Sequence, residues 1–186
     1  MKCNRIIHIG EIATVKGGKR LPKGVNLISQ PTDHPYIRIR DLDRKILELN
    51  ENYEYVDNET QETISRYIVD AGDILISIVG TIGLVGVVGT SLNKANLTEN
   101  CVKIVDIDEN RINREYLYYF LKSPAGQAEI KKGTVGAVQP KLPIKNIQAI
   151  TIPLFDLDIQ NKIGGLLASI DEKIAVNKKI NDNLAA

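Results

Sequence analysis

The 186-residue chain has no tryptophan, one methionine, two histidines and two cysteines. Cys3 and Cys101 are too few for a disulfide framework or a cysteine-rich zinc site. With no secretory signal at the start, the expected compartment is a reducing cytoplasm. His8 opens an alternating apolar segment and His34 sits in a PTDHP turn, and neither has a nucleophile or metal partner at a recognisable spacing. H-E-x-x-H, G-x-S-x-G, G-x-x-x-x-G-K-[ST] and N-P-P-[YF] do not occur, which argues against zinc peptidase, serine hydrolase, P-loop and amino-methyltransferase chemistry. The carboxylates of residues 46–73 are scattered without ligand spacing and read as a solvated acidic face. Catalysis is therefore not expected of this chain.

Charge is also missing over one long stretch: residues 74–92 carry no ionisable side chain, with glycine at 80, 83, 86 and 89. Nineteen residues at about 1.5 Å each would nearly cross a membrane. Glycines three apart, however, drift around a helix and each weakens it, the intervening Val, Ile and Thr favour strands, and Asp70 and Asp73 flank the run where Lys or Arg is usual. The segment reads as two buried strands, 74–79 and 84–88, joined by a turn at 80–83, and no membrane partner is expected.

A net charge of +1 conceals strong segregation. Residues 16–45 hold eight Lys and Arg against three acids, residues 46–73 one base against eight acids, and residues 131–155 four lysines and no acid. Two basic segments separated by an acidic one suit a protein that turns one face to a polyanion, although solvated surface is the simpler account of charge alone.

Local signals place further elements. YIRIR at 36–40 alternates like a half-buried strand, putting Tyr36, Arg38 and Arg40 on one face, where the arginines either stand free or pair with the acidic stretch. Residues 58–67 read as a short helix capped by Asn58, and residues 101–105 as a strand. Asn113 caps a helix reaching Leu121, and Ser123, Pro124 and Gly133 punctuate a second over 124–132. KKGTVGAVQPKL at 131–142 is a loop stiffened by Pro140, and ITIPLF at 150–155 is a last strand at a sheet edge or end. From Asp156 the chain reads as one helix of about 40 Å. Ile163, Leu167, Ile170, Ile174, Asn177, Asn181 and Leu184 follow a heptad seam that seeks a partner helix. The expected fold is α+β: a mostly antiparallel β-rich domain with short helices over 1–155, followed by a long coiled-coil-type helix over 156–186.

GEIATVKGGKRLPKG at 10–24, HPYIRIRDLD at 34–43, GDILIS at 72–77, GTIG at 80–83, GAVQPKL at 136–142 and IPLFDLDIQNKIGGLLASIDEKI at 152–174 together resemble the specificity subunit of type I restriction-modification systems. The resemblance covers one target-recognition domain and the start of its conserved helix. The family's subunit usually has two such domains, so the chain is expected to be either a piece of a longer one or a half-subunit that pairs with itself. The resemblance implies a non-catalytic reader of double-stranded DNA, each domain reading half of a split target from the major groove while paired helices set the spacing. A methyltransferase subunit carrying S-adenosylmethionine and a restriction/translocase subunit using ATP and Mg are the implied partners, with no cofactor in this chain. The rival reading is a protein-assembly module without DNA contact.

On the DNA reading, Lys16, Lys19, Arg20 and Lys23 neutralise phosphates, with Lys132, Thr134 and Lys141 contributing from the second basic segment. Arg38 or Arg40 can fork onto guanine, the Thr81 hydroxyl and glycine backbone approach a phosphate, and Gln139 suits adenine.

Overall fold

The computed structural model describes residues 5–184, the side chains of Lys179, Asp182 and Leu184 excepted. Its centre is a five-stranded sheet of order β2 (Thr14–Gly17), β9 (Cys101–Val105), β6 (Ile74–Ser77), β7 (Val85–Val88) and β4 (Ile46–Leu47). Every neighbour is antiparallel except β4, which runs parallel to β7. A smaller sheet orders β5 (Glu54–Tyr55), β3 (Pro35–Ile37) and β8 (Asn96–Leu97), and β1 (Ile6–His8) pairs antiparallel with β10 (Thr151–Pro153).

The uncharged run folds as a hairpin because it is covered on both faces. Ile74, Ile76, Val85, Val87, Val102 and Ile104 pack with Tyr116, Leu117, Phe120 and Leu121 of α2 (Arg114–Lys122), together with Ile130 of α3 (Pro124–Gly133) and Ile147 of α4 (Ile144–Gln148). Leu75, Val88 and Cys101 point the other way, into a second cluster with Ile37, Leu47, Tyr55 and Leu97. Burial raises the Cys101 thiol to about 12, leaving it unreactive; Cys3 lies outside the described residues. No helix among the described residues is long and apolar enough to cross a membrane.

Asn113 and Ser123 cap α2 and α3 as their spacing indicates, accepting from the Tyr116 and Gly126 amides. Three local expectations are corrected. The first short helix, α1 (Asn58–Ile64), is capped by Asp57, whose carboxylate accepts from the Thr60 amide at 2.7 Å, while Asn58 is already helical and its Oδ1 meets His34 Nε2. Gly133 is the last residue of α3, and Thr134 follows it as the cap. The 150–155 strand shrinks to β10, and α4 fills the stretch between the 131–142 loop and that strand, to which the sequence reading assigns no element.

The long helix, α5 (Leu157–Leu184), spans 28 residues. Its first turns dock on α2. Gly164 permits the approach, since a Cβ there would lie 2.9 Å from Glu115 Cβ and 3.1 Å from the Tyr116 amide nitrogen. Gln160 is fully buried at the joint: its amide donates to the Phe155 and Arg111 carbonyls at 2.7 and 3.0 Å, and its oxygen accepts from the Asn113 amide at 2.8 Å. Further along, Lys45 Nζ contacts Glu115 at 2.7 Å and the Tyr119 hydroxyl at 3.0 Å, and that hydroxyl donates to Asp171 at 2.7 Å.

Ile163 packs on the chain's own core, and Leu167 is half-buried. Ile170 and Ile174 are exposed together with Leu166, Val176 and Ile180, and so are Asn177 and Asn181; the Leu184 side chain lies outside the described residues. The seam anticipated from sequence is therefore divided between the domain, at its start, and solvent. Replacing the buried Gln160 by alanine leaves three partly buried backbone groups without their partner and is expected to lower stability by about 2 kcal/mol, read as a shift of the urea midpoint.

Candidate nucleic-acid interface

Strand direction alternates across β2, β9, β6 and β7, and the pairings Gly17↔Val102, Ser77↔Cys101 and Ile76↔Val85 place one terminus of each strand at the same end of the sheet. The connections leaving that end come from three distant parts of the chain. The Lys19 amide donates to the Leu97 carbonyl and the Ile78 amide to the Asn100 carbonyl, so the basic loop, the 98–100 turn and the hairpin lie edge to edge. Val79 bridges Lys141, and the Leu142 amide donates to the Ile78 carbonyl, which adds the 135–141 loop. The Gly80 Cβ position is 3.5 Å from Ile39 Cδ1, bringing in the turn between Arg38 and Arg40. Gly80 and Gly83 adopt φ of +74° and +88°, and Thr81 is exposed at the tip with its carbonyl accepting from the Ser77 hydroxyl. Lys19, Arg20, Arg38, Arg40, Thr81, Gln139 and Lys141 thus share one end of the molecule.

The arginine pair departs from expectation. β3 stops at Ile37, and Ile39–Asp41 forms a 3-10 turn, because the Asp41 carboxylate takes the Arg38 amide at 2.7 Å and ends the strand. The two guanidinium groups still meet, but on an acid. Arg38 Nη2 lies against Glu54, and Arg40 Nη2 reaches the same carboxylate oxygen at 2.9 Å while also donating to the Asn52 carbonyl. Arg38 Nε is buried without a hydrogen-bond partner among the described residues. The alternative of pairing with the acidic stretch is the arrangement observed.

The remaining predicted cations differ in how free they are. Arg20 is paired with Glu99 at 2.7 Å; partial burial raises the Glu99 carboxyl, but Arg20, the backbone and Thr98 hold it below the usual carboxylate range. Lys19 Nζ lies 5.4 Å over the Tyr67 ring, a contact that leaves the charge available. Lys16 sits within β2, and its Nζ turns to Asp106, 3.4 Å away beyond the opposite end of β9, so it is directed away from the loop end, contrary to its predicted role there. Lys132 pairs with Glu129 at 3.4 Å, and the Thr134 hydroxyl donates to the Ile130 carbonyl. No described residue bonds the side chains of Lys23, Thr81, Gln139 or Lys141.

Sequence reasoning offered the acidic stretch as a partner without singling out Glu54, and it overlooked Glu99 and Asp41; acids at fixed distance from a basic run leave no spacing signature when the contact crosses between strands. Among the described residues no cluster of three or more His, Cys, Asp and Glu could hold a metal ion.

Burial raises Asp41 to about 6, against the lowering influence of Arg40. The folded protein therefore takes up this proton before the unfolded chain does, and the penalty of ionising Asp41 is complete above pH 6 and vanishes as pH falls toward 4. Asp41→Asn keeps an acceptor for the Arg38 amide. It is expected to stabilise the protein by roughly 1 kcal/mol at pH 7, discounted for solvent screening, with no difference from the parent at pH 4, measured by urea denaturation at the two values.

Comparisons with known proteins bear on the family and the fold. The family described as Type I restriction modification DNA specificity domain matches residues 3–186. The specificity subunit of the type I restriction enzyme MjaIX from Methanocaldococcus jannaschii is 27% identical over 161 residues, covering 82% of this chain and 34% of that protein. A chain solved in work on complex assembly and conformational transition of the type I R-M system superposes with a TM-score of 0.69 at 17% identity, over 97% of this chain and 41% of its own length. The HsdS subunit from Thermoanaerobacter tengcongensis gives 0.64 at 19% identity, over 95% and 39%. These structures share the mixed, mostly antiparallel fold, and this chain spans between about a third and two fifths of each relative named here. On the match over residues 3–186, the chain belongs to the type I restriction-modification DNA specificity family.

Proposed function

We propose that this chain reads one half of a bipartite double-stranded DNA target and directs methyltransferase and restriction subunits to it, without catalysing either reaction. The observation that carries this reading is the gathering of Lys19, Thr81, Gln139 and Lys141 at one end of the five-stranded sheet, from segments up to 122 residues apart. Phosphate contacts position such a protein and base contacts give it specificity. Lys19, Lys23 and Lys141 supply unpaired charge, the glycine-flanked Thr81 tip permits close backbone approach, and Arg38, Arg40 and Gln139 offer forked or amide donors to base edges. The acids suit the same purpose. Glu54 holds two guanidinium groups in place, so that less side-chain entropy is lost when they meet DNA.

In this reading S-adenosylmethionine, ATP and Mg belong to the partner subunits, and the protein works in the cytoplasm. The exposed stripe of Leu166, Ile170 and Ile174 continues the role of α5 as a spacer: it pairs with a helix of a second specificity half or a second copy of this chain, and the methyltransferase subunit docks on the same region. An assembly module without DNA contact leaves the unpaired loop cations without a role.

Two measurements test the reading. In fluorescence-anisotropy titrations, log affinity for duplex DNA should fall linearly with log salt concentration, and Lys19→Ala should reduce that slope by about one while weakening target and random duplexes alike. Arg38→Ala should weaken the target by about 1–3 kcal/mol and relax one base position; equal losses on target and random duplexes would remove it from the base-reading residues. For the helix, the joint at Gln160 argues for cutting beyond it. A chain ending at Asp171 should be monomeric in analytical ultracentrifugation where the full chain associates.

A further inference from the structure

The 135–141 loop carries a side chain that the folding of this chain does not use. Val138 is 94% exposed, the most exposed of the large hydrophobic residues described. It is not on a floppy segment. The Val135 and Lys141 amides each donate to the other residue's carbonyl at 2.9 Å, closing a loop of five residues, 136–140. Gly136 enters it at φ +94°, where a Cβ would lie 2.8 Å from the Gln139 carbonyl oxygen, and Pro140 restricts φ at its exit. The base of the loop is then fastened to the hairpin by the Val79 bridge and by the Leu142 amide on the Ile78 carbonyl. A closed, anchored loop thus holds an isopropyl group in water at its tip, with the unbonded amide of Gln139 beside it.

We infer that Val138 is a specificity-determining residue that reads the C5-methyl group of a thymine in the major groove, next to the base read by Gln139. The inference rests on the DNA-reading function proposed above and adds to it a base identity. The surroundings select the partner: Lys141, whose side chain no described residue bonds, closes the loop, and no acid lies within residues 131–155, so the charge beside the tip is of the sign that attracts a duplex groove. Of the groups exposed in the major groove, only the thymine methyl offers an apolar side chain a favourable contact. An anchored loop also loses little conformational freedom when the contact forms.

The test uses the full chain and a duplex selected by that chain from a random library. Each thymine of the selected duplex is replaced in turn by deoxyuridine, which removes only the C5-methyl. At one position the parent chain should lose about fourfold in affinity, the equivalent of one buried methyl. Val138→Ala, whose folding should be unaffected because the side chain is exposed, should bind the unmodified target more weakly and show no further loss with deoxyuridine at that position. If no position separates parent from variant, or if Val138→Ala loses as much as the parent on methyl removal, Val138 is not a methyl reader although the chain still selects DNA. A chain that selects no sequence at all overturns the DNA-reading function and this inference with it.

Discussion

The alternation of strand direction across β2, β9, β6 and β7 governs everything else in this molecule. Antiparallel pairing sends successive connections to opposite ends of a sheet, and the register Ser77↔Cys101 and Ile76↔Val85 decides which connections share an end. A one-residue slip would turn the apolar sets of both clusters over together. Ile74 and Ile76 have to face α2 while Leu75 faces the smaller sheet, so the slip would put each in the wrong cluster. The hydrophobic cores, which have no part in binding, therefore fix the place of Thr81 relative to Lys19 more firmly than any local loop contact does.

On the proposed function, a surface turned to a polyanion would be expected to avoid acids, yet Glu54 and Glu99 lie at the loop end. The charges are not squandered. An exposed ion pair contributes little to stability, typically below about 1 kcal/mol, so pairing Arg20 with Glu99 does not hold the fold together. What the pairs do is limit the places where a long guanidinium side chain can be. Arg38, just before the Ile39–Asp41 turn, and Arg40, within it, reach one carboxylate, and on the proposed function they would exchange it for a base edge over a short distance. On the same proposed reading the cost is repulsion between Glu54 and phosphate, which would penalise a duplex that offers no compensating acceptor. Such a penalty favours specificity over bare affinity.

Local chemistry was legible in the sequence where one residue's side chain sets its own backbone. Asn113 and Ser123 as caps, the glycine turn at 80–83 and the long amphipathic helix all belong to this class. Where a side chain several positions away decides, the pattern misleads: YIRIR alternates through residue 40, but Asp41 captures the Arg38 amide and converts the second half into a 3-10 turn. The Asp57 cap lies one residue before the predicted one because Asn58 is as good a capping type, and only the bond from the Thr60 amide to the Asp57 carboxylate distinguishes them. The glycine period itself has two origins. Gly80 and Gly83 serve the turn, whereas a Cβ at Gly86 would strike Leu47, so the latter records the close approach of β4. Sheet order was beyond reach of periodicity, since β4 and β8 contribute two residues each to pairings with distant strands.

The helix shows how a domain can dictate an assembly surface without touching it. A heptad stripe read from sequence has no beginning, because nothing in the pattern says which turns meet the domain and which meet a partner. Here Gln160, Ile163 and Gly164 are committed to α2 and the core, and Asp171 is held by Tyr119. Rotating α5 to bury Leu166 would break the Gln160 hydrogen bonds and drive the larger side chains into the gap that only Gly164 fits. The direction of the exposed stripe is thereby coupled to α2, and α2 is coupled through the core to the sheet that carries the binding loops. Under the proposed function, a partner paired with Ile170 and Ile174 would meet the loop end at a fixed angle, which is the mechanical requirement for two half-sites to be read at one spacing.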